Sequence, residues 1–137
     1  MIPVYQTRTV ANDGAGNCFN ACVASILELP LRDVCQVLPD FAGDYWAEWN
    51  KWLAERGLEI DCVMATEGAP KGFAIATGTG GRFYPDGHSR AGKPIMHAAV
   101  VFNGELIHDP FPGAKEFGGI RWYWTLNPLS ADEQEAA

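Results

Sequence analysis

The chain has 137 residues, 47% of them hydrophobic, which suits one domain with a substantial core. Its formal net charge of −7 argues against a nucleic-acid-binding surface and against an anionic membrane as partner. No basic segment precedes an apolar run at the start, and no apolar run is long enough to span a membrane. We predict one domain over residues 1–129 and an acidic, flexible tail over residues 130–137.

The cysteines carry information about the compartment. There are four of them, at Cys18, Cys22, Cys35 and Cys62, and they are too sparse for a disulfide framework. Because no secretory signal accompanies them, we predict reduced thiols in the cytoplasm.

The first half of the chain predicts helices. In chain order, the elements are a strand at 4–7, a Gly-rich loop at 8–16, and helices at 17–29, 31–38 and 44–57. Apolar residues recur at helical spacing in the first helix, and Asn17 can cap it by accepting a bond from a first-turn amide. Pro30 ends this helix, as Pro39 and Gly57 end the next two.

The second half predicts an antiparallel sheet. Strands are expected at 58–65, 72–78, 95–102, 105–110 and 119–126, with a long loop at 78–94. The loop is glycine-rich, and long loops in small domains are often functional. Helices followed by an antiparallel sheet predict an α+β fold.

The segment "DGAGNCFNAC" (13–22) raises the question of a reactive thiol at Cys18. A cysteine at the first turn of a helix lies near the positive end of the helix dipole and near unpaired amides, and both favour the thiolate. The preceding glycines allow a substrate backbone to approach closely. Cys22, one turn further, is expected to face the core.

A thiolate nucleophile needs a base that a third group orients, and His97 and Asp109 are the candidates. They lie on two strands joined at Asn103-Gly104. With a two-residue turn, Asp109 would face Ala98. A three-residue loop with Gly104 in a bulge places His97 opposite Asp109, and we prefer this register because it pairs the carboxylate with an imidazole.

The other polar residues predict less. Cys18, Cys22, His97 and His108 lack the spacing of a zinc site, so we predict no cofactor and no metal. His88 is expected to face solvent, and His108 to lie half-buried on the face opposite Asp109. Three tryptophans of the third helix are expected in the core and groove wall, at Trp46, Trp49 and Trp52.

The segments "GNCFNACVASIL" and "HAAVVFNGELIHDP" resemble the papain-like cysteine peptidase superfamily, most closely the peptidases that process bacteriocin leaders. They are also similar to small uncharacterised phage and bacterial proteins. The resemblance implies a helical half with the nucleophile at a helix start, packed on a sheet that carries the base. It implies Cys18 as nucleophile, His97 as base and acid, and Asp109 as orienting group.

The resemblance also implies an amide side chain in the oxyanion hole, placed before the nucleophile. Gln6 is our first choice, although it lies twelve residues before Cys18, and Asn12 is the second. The expected activity is hydrolysis of an amide or isopeptide bond in a protein or peptide. Two alternatives stay open. One is a deamidase or transamidase with the same residues, and the other is a non-catalytic module that binds a host protein.

Overall fold

Two helices pack on one face of a five-stranded antiparallel sheet. The computed structural model describes residues 1–9, 15–79, 83–112, 117 and 119–129. In these ranges the helices are α1 (Cys18–Leu27) and α2 (Tyr45–Ala54). The strands are β1 (Leu58–Met64), β2 (Phe73–Gly78), β3 (His97–Phe102), β4 (Glu105–His108) and β5 (Ile120–Pro128), in the order β1-β5-β2-β3-β4. The predicted α+β class is confirmed.

The central helix α1 is buried on nearly all sides, since every residue from Phe19 to Ser25 is buried. It packs on β2 and β3, while α2 packs on β1. Phe19, Val23, Trp49 and Ile75 meet in the core between the helices and the sheet. The helix start is therefore held rigidly above the sheet.

Two predicted elements are wrong. Residues 4–7 form no strand, because side chains and single backbone bonds hold this segment in place of a strand partner. The helix expected over 31–38 is only a 3₁₀ turn at Leu31–Asp33, followed by irregular chain. Asn20 on α1 explains part of this, because its side-chain amide donates to the carbonyls of Cys35 and Val37 and holds the segment away from a helical path.

Part of the sequence prediction lies outside the described residues. This applies to the acidic tail at 130–137 and to Asn12, the second candidate for the oxyanion hole. Among the described residues, no helix combines the length and the apolar character that crossing a membrane requires.

Candidate active site

Cys18 is the first residue of α1, and its side chain is partly exposed. The thiol thus lies where the buried helix reaches the surface. Cys22, one turn further, is fully buried as expected, and burial, followed by the negative charges of Cys18 and Asp109, raises the pKa of its thiol well above the usual value. Cys22 therefore stays protonated and serves packing.

Asn17 has a different role from the predicted helix cap. It occupies the N-cap position, but its side chain makes no bond to the first turn of α1. Its Oδ1 accepts from the amides of Thr7 (3.0 Å) and Arg8 (2.9 Å), and its Nδ2 donates to Thr7 Oγ1 (3.0 Å). Asn17 therefore fixes the N-terminal segment against the helix start and leaves the first-turn amides without a side-chain cap.

This segment places Gln6 beside Cys18. Gln6 is buried. Its backbone amide donates to Pro110 O (2.9 Å), and its side-chain Nε2 donates to Arg8 O (3.0 Å). Since Nε2 carries two hydrogens, one remains for a further acceptor. The long spacing between Gln6 and Cys18 is bridged because Asn17 ties the segment back to the helix start.

The turn between β3 and β4 differs from the one we preferred. Asn103 and Gly104 have φ values of 51° and 82°, as the two central residues of a type I′ hairpin require. Phe102 accordingly pairs with Glu105. The expected three-residue loop, with Val101 opposite Glu105, is wrong.

A β-bulge nevertheless brings the carboxylate to the imidazole. Val101 pairs with Leu106, but Val100 pairs with His108, so Ile107 is an extra residue in β4. Such a bulge bends the strand and redirects the residues after it. Asp109 follows β4 directly and reaches His97 from beyond the strand end. The two residues meet, though through neither of the registers considered from the sequence.

His97 bonds the carboxylate of Asp109 and lines the same cavities as the thiol of Cys18. Its Nε2 lies 2.6 Å from Asp109 Oδ1, which also accepts from the amide of Phe111 (2.9 Å). Burial by itself lowers the pKa of His97, but hydrogen bonds with Asp109 and Cys18 and the negative charges of both raise it from 6.5 to about 9. His97 is therefore charged at neutral pH.

Two cavities meet at Cys18 and His97, and both residues line each of them. We call the first, of about 220 Å³, the mixed arm; its other lining residues include Gln6, Gly16, Tyr84, Arg90 and Ile95. We call the second, of about 260 Å³, the apolar arm; its other lining residues include Phe19, Tyr45, Trp46, Thr77, Trp122 and Trp124. Pro39 and Met96 line both arms. The thiol thus lies at the centre of a continuous cleft.

The other histidines lie elsewhere. His88 is buried, contrary to the prediction: its Nδ1 accepts from the amide of Arg90 (3.0 Å), and its ring lies 4.4 Å from that of Tyr84. His108 is buried rather than half-buried, and its Nε2 donates to Val4 O (2.6 Å). It therefore anchors the N-terminal segment to β4. Within the described ranges, no group of three or more His, Cys, Asp or Glu residues is arranged to hold a metal ion.

Of the residues that the sequence named, Cys18, His97 and Gln6 line the cleft, and Asp109 bonds His97. Sequence reasoning missed the tie that Asn17 makes to the N-terminal segment. The sequence did contain a signal for this tie. Asn17 directly precedes Cys18 and follows a polar segment, and an asparagine side chain can accept from the backbone amides of such a segment. No family model, curated protein or solved structure matches the chain.

Proposed function

We propose that the protein is a papain-like cysteine hydrolase that cleaves an amide or isopeptide bond in a protein or peptide. One observation carries the proposal: His97 bonds Asp109 through Nε2 and lines both cavities together with the partly exposed Cys18. A nucleophile, a base and an orienting group close together are the requirement for thiol catalysis.

The reaction follows from this order of groups. The Sγ of Cys18 attacks the carbonyl carbon, forming a C–S bond and an oxyanion. His97, charged at neutral pH, transfers its Nδ1 proton to the leaving amine as the C–N bond breaks. Water then loses a proton to His97 and attacks the thioester, which releases the acid and the Cys18 thiolate. Asp109 keeps the ring oriented throughout and carries no proton.

The oxyanion is stabilised by donors that are already in place. The second hydrogen of Gln6 Nε2 and the amide of Cys18 are the two candidates, and α1 contributes the positive end of its dipole. Asn17 supports these donors indirectly, because its hydrogen bonds hold the segment that carries Gln6.

The first test is thiol alkylation on the folded protein with iodoacetamide, mapped residue by residue by mass spectrometry. Cys62 is exposed and provides an internal reference. An ordinary thiol is only about 0.3% ionised at pH 6 and therefore reacts slowly there. We expect Cys18 to react much faster than Cys62 at pH 6, and His97→Gln to remove the difference.

The second part of the test measures whether Cys18 accepts an acyl group and passes it to water, in addition to reacting with an alkylating reagent. p-Nitrophenyl acetate should acetylate Cys18 with release of p-nitrophenolate, and water should then remove the acetyl group. Cys18→Ala should abolish this while its urea-unfolding midpoint stays close to that of the wild type. Cys18 reacting no faster than Cys62, or Cys18→Ala retaining turnover, contradicts the proposal. A slow thiol would favour the protein-binding module, whereas amine acceptors that intercept the acetyl group would favour the transamidase.

A further inference from the structure

The apolar arm is built mainly from aromatic rings of three different elements, α1, α2 and β5. Trp46 of α2 and Trp124 of β5 stack with their ring centres 4.3 Å apart and their planes 18° from parallel. The Nε1 of Trp124 donates to Thr77 Oγ1 (3.0 Å), so the polar atom of that ring already has its partner inside the protein. What the arm presents to the cleft is therefore apolar surface held in a fixed position.

The arm also leaves large apolar side chains exposed beside the reactive groups. Met96 is 45% exposed and Trp122 is 37% exposed. Covering such surface is favourable at roughly 25 cal/mol per Å². Since Cys18 and His97 line the same cavity, the group that covers it must lie next to the bond that Cys18 attacks.

We propose that the apolar arm is a specificity pocket for one large apolar side chain of the substrate, preferably an aromatic one. This inference rests on the function proposed above and names its substrate class. The size is adequate, because a cavity of about 150 Å³ lined by apolar residues can bind benzene, and the arm measures about 260 Å³. The occupant is a side chain of the substrate because the arm opens onto Cys18 and His97.

Chloroacetamides test the pocket without requiring a known substrate. N-(2-phenylethyl)chloroacetamide and N-(2-hydroxyethyl)chloroacetamide carry the same reactive group. The first has an apolar aromatic substituent and the second a polar one. Rates at Cys18 are divided by those at the exposed Cys62, which corrects for intrinsic differences between the reagents. We expect the aromatic reagent to be preferred at Cys18 by roughly tenfold to 100-fold, the range that corresponds to burying one large apolar group.

Two tryptophans of α2 give a matched pair of variants. Trp46 lines the apolar arm, whereas Trp52 packs against Trp49 and lies under the guanidinium of Arg56 at 3.7 Å. Trp46→Ala should abolish the preference for the aromatic reagent, and Trp52→Ala should preserve it. If Trp46→Ala does not fold, Met96→Gln replaces it, because this exposed side chain contributes little to the core; it should reduce the preference severalfold.

The failure of this inference is separable from the failure of the proposed function. If Cys18 outpaces Cys62 with iodoacetamide but shows no preference for the aromatic reagent, the pocket is refuted and the nucleophile stands. An equal loss of preference in the Trp46 and Trp52 variants refutes it as well.

If Cys18 is no more reactive than Cys62, the pocket is tested by binding. N-acetylphenylalanine amide is titrated into Cys18→Ala while the indole NMR signals are followed. Shifts at Trp46 and Trp124 but not at Trp52 support the pocket, and unchanged signals at millimolar concentration refute it.

Discussion

The raised pKa of His97 makes the stability of the folded protein depend on pH in a defined window. In the folded protein His97 holds its second proton up to about pH 9, whereas the unfolded chain releases it near pH 6.5. Between these values His97 binds fewer protons in the unfolded state than in the folded state. A thiolate at Cys18 would offset this difference, because the folded protein would then lack a proton that the unfolded chain binds, so the effect is worked out for Cys18→Ala. The stabilisation is therefore complete below pH 6.5 and is lost as the pH rises towards 9.

The size of the effect follows from the shift. One proton difference corresponds to a slope of about −1.4 kcal/mol per pH unit in the free energy of unfolding. A shift from 6.5 to about 9 then amounts to roughly 3 kcal/mol in total, which is an upper limit for Cys18→Ala because Cys18 is among the causes of the shift. Since stabilities of small domains lie in the range of about 5–15 kcal/mol, the loss should be large enough to measure.

Urea unfolding of Cys18→Ala at a series of pH values from 6 to 8.5 measures this slope. Cys18 is replaced so that its own ionisation does not enter the comparison, and the range ends where the thiols of the unfolded chain begin to ionise, near pH 8.5. His97→Gln should flatten the curve, and Asp109→Asn should reduce its slope, because that variant removes the anion that bonds His97. A stability of Cys18→Ala that is constant over this range, or a slope that persists when His97→Gln is added, refutes the argument.

Two further predictions concern the N-terminal segment. Asn17→Ala removes three hydrogen bonds to Thr7 and Arg8 and should lower the free energy of unfolding by about 3 kcal/mol, measured in urea; Asn17→Asp keeps both backbone bonds and should lose only about 1 kcal/mol. Gln6→Ala should slow acetylation by p-nitrophenyl acetate by roughly 100-fold, since it removes an oxyanion donor. Its alkylation by iodoacetamide, which forms no oxyanion, should stay unchanged, and a parallel loss in both reactions would contradict the assigned role.

The sequence alone predicted most of the regular structure, because the local patterns were strong. The period of α1, the helix start predicted at Asp44 and the Asn-Gly turn are signals that act over a few residues. In the structure Asp44 accepts from the amide of Ala47, and the turn lies at Asn103-Gly104. Where a segment's conformation depends on distant partners, as at 4–7 and 31–38, the sequence prediction failed.

The candidate site shows the same division. The residue types and their order along the chain pointed to Cys18, His97 and Asp109, because a helix start favours the thiolate and a carboxylate can orient an imidazole base. Their meeting depends on the bulge at Ile107, which no turn rule could place, since a bulge is set by how β4 packs against its neighbours.

The sequence by itself therefore determined the α+β class, the residue types of the candidate site and the positions of most elements. Only the tertiary structure decided how Asp109 reaches His97, that Asn17 ties Gln6 to the cleft rather than capping α1, and that Trp46 and Trp124 form one wall of it. The physical reason is range: helix periods, caps and tight turns are fixed by neighbours in the chain. The site instead depends on hydrogen bonds and ring contacts between residues far apart in the sequence, which exist only once the helices and the sheet have packed.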